Sequence, residues 1–83
     1  MNVILSSPSE YKTVEVVWLE INTPKGNFVI QKGHVPMIIS LSENKPISYR
    51  LKSGKQESLM VRQGVASINR ESVSIILSST TPP

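Results

Sequence analysis

The chain has no cysteine and a single histidine, His34. That excludes disulfide staples and thiolate metal sites, and it leaves one imidazole with no second histidine or nearby carboxylate pair to complete a metal centre or a catalytic triad. Glycine occurs four times, at Gly26, Gly33, Gly54 and Gly64, never as a run opening a helix, so a phosphate-cradling loop is excluded. Only Tyr11, Trp18, Phe28 and Tyr49 are aromatic. They do not interleave with basic side chains as a stacking platform for single-stranded nucleic acid requires, and no run of like charge marks a nucleic-acid arm. No stretch approaches the roughly 20 apolar residues of a membrane span, and Val3-Ile4-Leu5 is too short and lacks the basic flank of a signal-peptide core. The expectation is a non-enzymatic, cofactor-free chain with no nucleic-acid partner, which works by what it touches.

At 83 residues the chain is one domain, and a domain of that size buries only about 60% of its unfolded surface, so packing alone must hold a small core. Nine basic and six acidic residues give a net charge of +3, spread along the chain. The dominant pattern is alternation. Ile47, Tyr49 and Leu51 alternate with Ser48, Arg50 and Lys52, and Val73, Ile75 and Leu77 alternate with Ser72, Ser74 and Ser78, which is the period of half-buried strands. Turn signals at Lys25-Gly26, Lys32-Gly33, Glu43-Asn44-Lys45-Pro46, Ser53-Gly54 and Asn69-Arg70-Glu71 recur every 8 to 12 residues or so, as in sandwiches and barrels. The spacing predicts an all-β fold of about eight to ten short strands in a two-layer sandwich or flattened barrel. Eight are placed, at residues 3–6, 12–21, 27–31, 37–41, 47–51, 57–63, 65–69 and 73–78, with a bend at Gly64. The β-sandwich domain is expected over residues 1–79, with a short tail at 80–83.

Two segments depart from clean alternation. Between Val14 and Ile21, apolar residues occupy both parities, so the strand is covered on both faces or bulged near Trp18, and Trp18 is expected in the core. Ile38, Met60 and Ile76 stand on the otherwise polar faces of their strands, beside Ser40, Arg62 and Ser74. Single exposed apolar residues are ordinary, but a cluster would form a docking patch, because burying a Met or Ile side chain stabilises by roughly 1.5–3 kcal/mol.

The residues from Lys25 to Ile38 read K-G-N-F-V-I-Q-K-G-H-V-P-M-I. Gly33 permits positive φ, and Pro36 fixes its own φ and pushes Val35 towards an extended conformation, so the corner turns His34 away from the core. For His34 two readings stay open: a loop imidazole bonded to neighbouring backbone, or an interface residue. This segment, followed by an apolar strand, an edge near Pro46 and the final Val73-Ser74-Ile75-Ile76-Leu77 strand, resembles the epsilon subunit of F-type ATP synthases over nearly the whole chain. The family loop E-G-E-L-G-I-x-P-G-H-A-P-L-L is matched at Gly26, Ile30, Gly33, His34 and Pro36, with Met37 and Ile38 as apolar equivalents. Lys25 and Asn27 stand where the family places acids, Val29 replaces its second glycine and Lys32 its proline.

The resemblance implies a non-catalytic rotor subunit of a proton- or sodium-translocating enzyme, bridging the gamma subunit and the ring of c subunits. By carry-over, His34, Val35, Met37, Ile38, Ser40, Met60 and Ile76 would face gamma. Lys25, Gly26, Asn27 and Phe28 would lie towards the ring. It implies a peripheral position on the cytoplasmic face of a bacterial inner membrane. It implies also that the two-helix C-terminal domain of many members, with its inhibitory and nucleotide-sensing behaviour, is absent. The alternative is a free-standing β-sandwich interaction module unrelated to ATP synthase, which a scattered arrangement of Ile38, Met60 and Ile76 would favour.

Overall fold

A computed structural model describes residues 1–80, of which the last two are described by backbone only. Among the described residues seven strands follow one another without a helix: β1 (Asn2–Ser6), β2 (Tyr11–Thr23), β3 (Gly26–Ile30), β4 (Met37–Ser40), β5 (Lys45–Leu51), β6 (Gln56–Ile68) and β7 (Ser72–Thr80). All belong to one hydrogen-bonded sheet ordered β1-β7-β6-β5-β2-β3, and β1 also pairs with β2, so five strands close into a ring. β3 hangs on β2 and β4 on β6, outside that ring. Only the β1–β7 pair is parallel. Closure removes the free edges of the five ring strands, leaving one edge each on β3 and β4.

The expected all-β sandwich or flattened barrel is what forms, with one strand fewer than the eight placed. Residues 57–63 and 65–69 are a single strand, β6, which shifts register at Gln63 and Gly64 and folds from its pairing with β5 into its pairing with β4. Gly64 bends the chain without interrupting it. A Cβ there would lie 2.8 Å from Leu77 Cδ2, 3.0 Å from the Ile76 carbonyl oxygen and 3.2 Å from Leu41 Cδ1, so the strands cross too closely for any side chain. β7 runs through Thr80, one residue into the expected tail, and residues 81–83 lie outside the described ones.

The core is apolar and continuous: Val3, Leu5, Val16, Leu19, Ile21, Ile30, Ile47, Tyr49, Val61, Ile68, Val73, Ile75 and Leu77 meet inside the ring. The alternation of β5 and β7 supplies five of these side chains, Ile47, Tyr49, Val73, Ile75 and Leu77. In β2 the pairing slips between Val16 and Trp18, a bulge that reverses parity: Val16 points in, Val17 is 49% exposed, and Leu19 and Ile21 point in again. The same slip corrects the expectation for Trp18. It is half-buried and stands outside the core cluster, because the bulge gives the inward position to Leu19.

Candidate docking surface

The corner between β3 and β4 is built as its residue types require. Gly33 has φ 89°, its N–H donates to the Arg70 carbonyl in the β6–β7 turn, and the His34 N–H donates to the Gln31 carbonyl at 3.1 Å. His34 is half-buried, with Nδ1 2.9 Å from the Val35 carbonyl oxygen, a hydrogen bond whenever Nδ1 carries the proton. The imidazole thus engages neighbouring backbone while Val35, 68% exposed, projects beside it. Among the described residues, no three His, Asp or Glu side chains are grouped to hold a metal ion.

Beyond the corner, the outward positions of five strands line up. Cross-strand pairing sets Tyr11, Ser6, Ile76, Val65 and Ser40 in one row across β2, β1, β7, β6 and β4. Thr13, Ile4, Ser74, Ser67 and Ile38 form the next row across the same strands. None of these side chains is buried, and none carries a charge. At about 4.8 Å per strand the rows are roughly 19 Å long. Their apolar centre is Ile38, Val65 and Ile76, exposed by 76%, 41% and 61%. Val65 sits directly opposite Ile76 and diagonal to Ile38, within side-chain reach of both. An open groove of about 400 Å³ between Leu41, Glu43, Gln63 and Ser78 borders this centre.

Of the residues expected on one face, the structure brings together Ile38, Ser40 and Ile76. Met37 packs against the core, and Met60 stands apart, opposite Pro46 on β5, five residues from Val65 and beyond the β6 bend. The expected clustering of Met60 with Ile38 and Ile76 is therefore corrected: the register shift separates them, and Val65 completes the patch. Periodicity overlooked Val65, Tyr11 and Ile4. The signal for Val65 was present, because Ala66 and Ile68 alternate with it as inward residues.

Charge begins at the margin. In the third row, Glu15 is paired with Asn2 and accepts a hydrogen bond from the Met1 ammonium at 2.9 Å, with Lys52 Nζ at 3.3 Å. The ammonium, aided by Lys52 and opposed by desolvation, holds the Glu15 carboxyl below the ordinary carboxylate range.

The other end of β3 is a hydrogen-bonded tip. Thr23 and Gly26 pair across a two-residue turn of Pro24 and Lys25, and Gly26 has φ 128°. The Thr23 hydroxyl, buried with its residue, accepts from the Lys25 N–H at 3.1 Å and donates to the Gly26 carbonyl at 2.9 Å. Asn27 Nδ2 donates to Asn22 Oδ1, Asn22 Nδ2 donates to the Pro46 carbonyl, and the Ser42 N–H donates to the Asn22 carbonyl. Lys25, Gly26 and Asn27 are exposed on this frame, while Phe28 packs back against the core. From the tip, β3 runs for about 13 Å between Gly26 and Ile30, and Gln31 and Lys32 then lead to the Gly33 corner.

The chain is thus a closed β-sandwich with two uncharged outer rows and a hydrogen-bonded hairpin tip. Its residues 1–83 match the family model described as ATP synthase, Delta/Epsilon chain, beta-sandwich domain, and the chain belongs to that family. It is therefore not the unrelated interaction module that the sequence left as an alternative. Among solved structures it is similar in fold to a chain of the Euglena gracilis mitochondrial ATP synthase (OSCP/F1/c-ring, rotational state 1), with a TM-score of 0.86 and 22% identity over 96% of this chain and 51% of that one. It is similar also to a chain of the Tetrahymena thermophila mitochondrial ATP synthase central stalk and c-ring, with a TM-score of 0.82 and 15% identity over 98% of this chain and 65% of that one. The chain thus spans about half and about two thirds of those two relatives. None of the curated proteins matches it in sequence.

Proposed function

We propose that the chain is a non-catalytic component of the central stalk of an F-type ATP synthase, which couples the gamma subunit to the proton- or sodium-translocating c-ring. The observation that carries the reading is the match of the whole chain to the delta/epsilon β-sandwich family, and the fold is shared with chains of two ATP synthase complexes. The two uncharged rows are the surface we assign to gamma, with Ile38, Val65 and Ile76 as anchors and His34, Val35 and Ser40 at the border. Met37 supports that strand from beneath. Met60 is left outside the footprint. The opposite tip, Lys25, Gly26 and Asn27 on the packed Phe28, is assigned to the ring.

The geometry suits a mechanical part. Torque passes through a body that does not yield, and a closed ring of strands around a close-packed core has low compressibility. Docking through apolar anchors set among hydroxyls costs little desolvation, since no charge has to be stripped of water. The chemistry on ATP takes place elsewhere in the assembly. The described residues form no helix, and so none long and apolar enough to cross a membrane; we place the chain as a peripheral component. A membrane-associated ATP synthase is what the solved relatives support, and the cytoplasmic face of a bacterial inner membrane is our own placement. The test is co-purification with the gamma subunit from the same source: the wild-type chain is retained and Ile76→Asp is lost, whereas a wild-type chain that never binds gamma refutes the assignment.

A further inference from the structure

We infer that gamma adds a strand to this fold: an extended segment of its chain pairs, backbone to backbone, with the free edge of β4; this rests on the assignment of the neutral face to gamma. The ladder fixes which groups are open. The Leu41 N–H donates to the Gly64 carbonyl at 2.9 Å, one step beyond the pairing of Ser40 with Val65. In an antiparallel ladder every second residue bonds to the neighbouring strand. Met37 and Ile39 therefore turn their N–H and C=O groups to β6, and Ile38 and Ser40 turn theirs away from it. Among the described residues no strand lies on that side, and no other backbone group bonds to Ile38 or Ser40. Two donors and two acceptors thus stand in line, about 7 Å from one residue to the next, which is the spacing that another strand matches.

A second opening coincides with the first. Met37 and Ile39 point inward and pack against the core, yet both are only half-buried, because the sheet ends at β4 and leaves their flank uncovered. An added strand closes both gaps at once, with its backbone on Ile38 and Ser40 and its inward side chains along Met37 and Ile39. Its outward side chains extend the two uncharged rows by one strand, beside Ile38 and Ser40. Edges that stay in water are commonly guarded by a charge, a proline or a bulge. β4, Met-Ile-Ile-Ser, contains none of these and is guarded only by its short length. The other free edge, on β3, lies outside the rows. Pro36 has no N–H to offer, and the Ser42 N–H is already given to the Asn22 carbonyl, so the pairing is confined to Ile38 through Ser40. The gamma segment is accordingly short and uncharged, with an apolar side chain beside Ile38.

The test is amide hydrogen exchange, read by NMR on the isotope-labelled chain alone and in its complex with gamma from the same source. In the free chain the Ile38 and Ser40 amides exchange fast, whereas the Ile39 amide, bonded to β6, is protected. Gamma is expected to slow Ile38 and Ser40 by at least about tenfold. A pair of variants reads the same bonds as affinity. Ser40→Pro removes an outward N–H without touching a bond to β6 and is expected to raise the Kd for gamma about tenfold, while Ser40→Ala keeps the N–H and stays within about twofold. Bound gamma with both amides still fast overturns the added strand while the assignment to gamma stands, and so do equal losses in Ser40→Pro and Ser40→Ala. Protection that appears in the chain alone and grows with its concentration gives the edge to a second copy and also overturns the inference. A wild-type chain that does not bind gamma removes the assignment itself, and the added strand with it.

Discussion

Ile38→Asp tests the neutral face by putting one charge at its apolar centre. Ile38 is 76% exposed in the free chain, so a partner that covers it gains most of what burying an isoleucine contributes, roughly 1.5–3 kcal/mol. Loss of that term alone raises the Kd for gamma about 10- to 150-fold. The aspartate adds an unpaired carboxylate that must be desolvated among Val65, Ser67 and Ile76, so the effect falls at the upper end of that range or beyond. In the free chain the same side chain stands in water on an outer strand, and the substitution costs up to about 1 kcal/mol of strand propensity, or about 4–8 °C in Tm for a domain of this length. Ile38→Thr keeps the branched side chain and the fold, and should weaken binding by about fivefold, close to the value of one or two lost methylenes. Titration calorimetry of purified gamma against each variant, alongside thermal melts, reads both quantities. An unchanged Kd for Ile38→Asp in a folded protein refutes the assigned face.

Four further outcomes are expected. Met60→Asp, beyond the β6 bend, changes the Kd for gamma less than about twofold, because surface substitutions away from a contact stay within about 0.5 kcal/mol; a loss equal to that of Ile38→Asp puts Met60 back in the footprint. Gly64→Ala forces a methyl group to within 2.8 Å of Leu77 Cδ2 and lowers stability by about 1–3 kcal/mol in urea titrations; an unchanged midpoint means that β6 and β7 cross less closely. Thr23→Val removes the hydroxyl that bonds Lys25 N–H and Gly26 O and costs about 1–3 kcal/mol, with faster amide exchange at Lys25 as its local signature. The depressed Glu15 carboxyl contributes stability that is fully present above its ordinary value near 4.5 and is lost as pH falls through its lower folded-state value. The Tm gap between wild type and Glu15→Gln should accordingly be constant at neutral pH and close in acid, and a gap that widens in acid contradicts the ion pair.

Much of the fold was legible because its strands obey the simplest rule. In β5 and β7 a one-sided alternation leaves a single choice of inward face, and Ile47, Tyr49, Val73, Ile75 and Leu77 are where that choice puts them. The glycine-histidine corner was legible through backbone chemistry, since Gly33 adopts the positive φ that its type permits. What stayed hidden depends on contacts between distant residues. Gly64 looks like a stop in one dimension and is a crossing in three, because its constraint comes from Leu77 and Ile76 on another strand. Parity before Gly64 cannot be carried through the register shift, which is why Met60 was grouped with Ile76 and Val65 was overlooked. Trp18 illustrates the same limit. Composition favoured burial, but a one-residue bulge at Val17 gave the core position to Leu19. The neutral rows are invisible in sequence altogether, since Tyr11, Ser6, Ile76, Val65 and Ser40 become neighbours only through four separate strand pairings.

The most direct measurement is hydroxyl-radical footprinting of the chain alone and bound to gamma. Oxidation of Ile38, Val65 and Ile76 should fall severalfold on binding while the exposed Met60, the most reactive of the four, keeps its free-chain rate. Undiminished oxidation of the three aliphatic side chains in a complex shown to be intact would contradict the account.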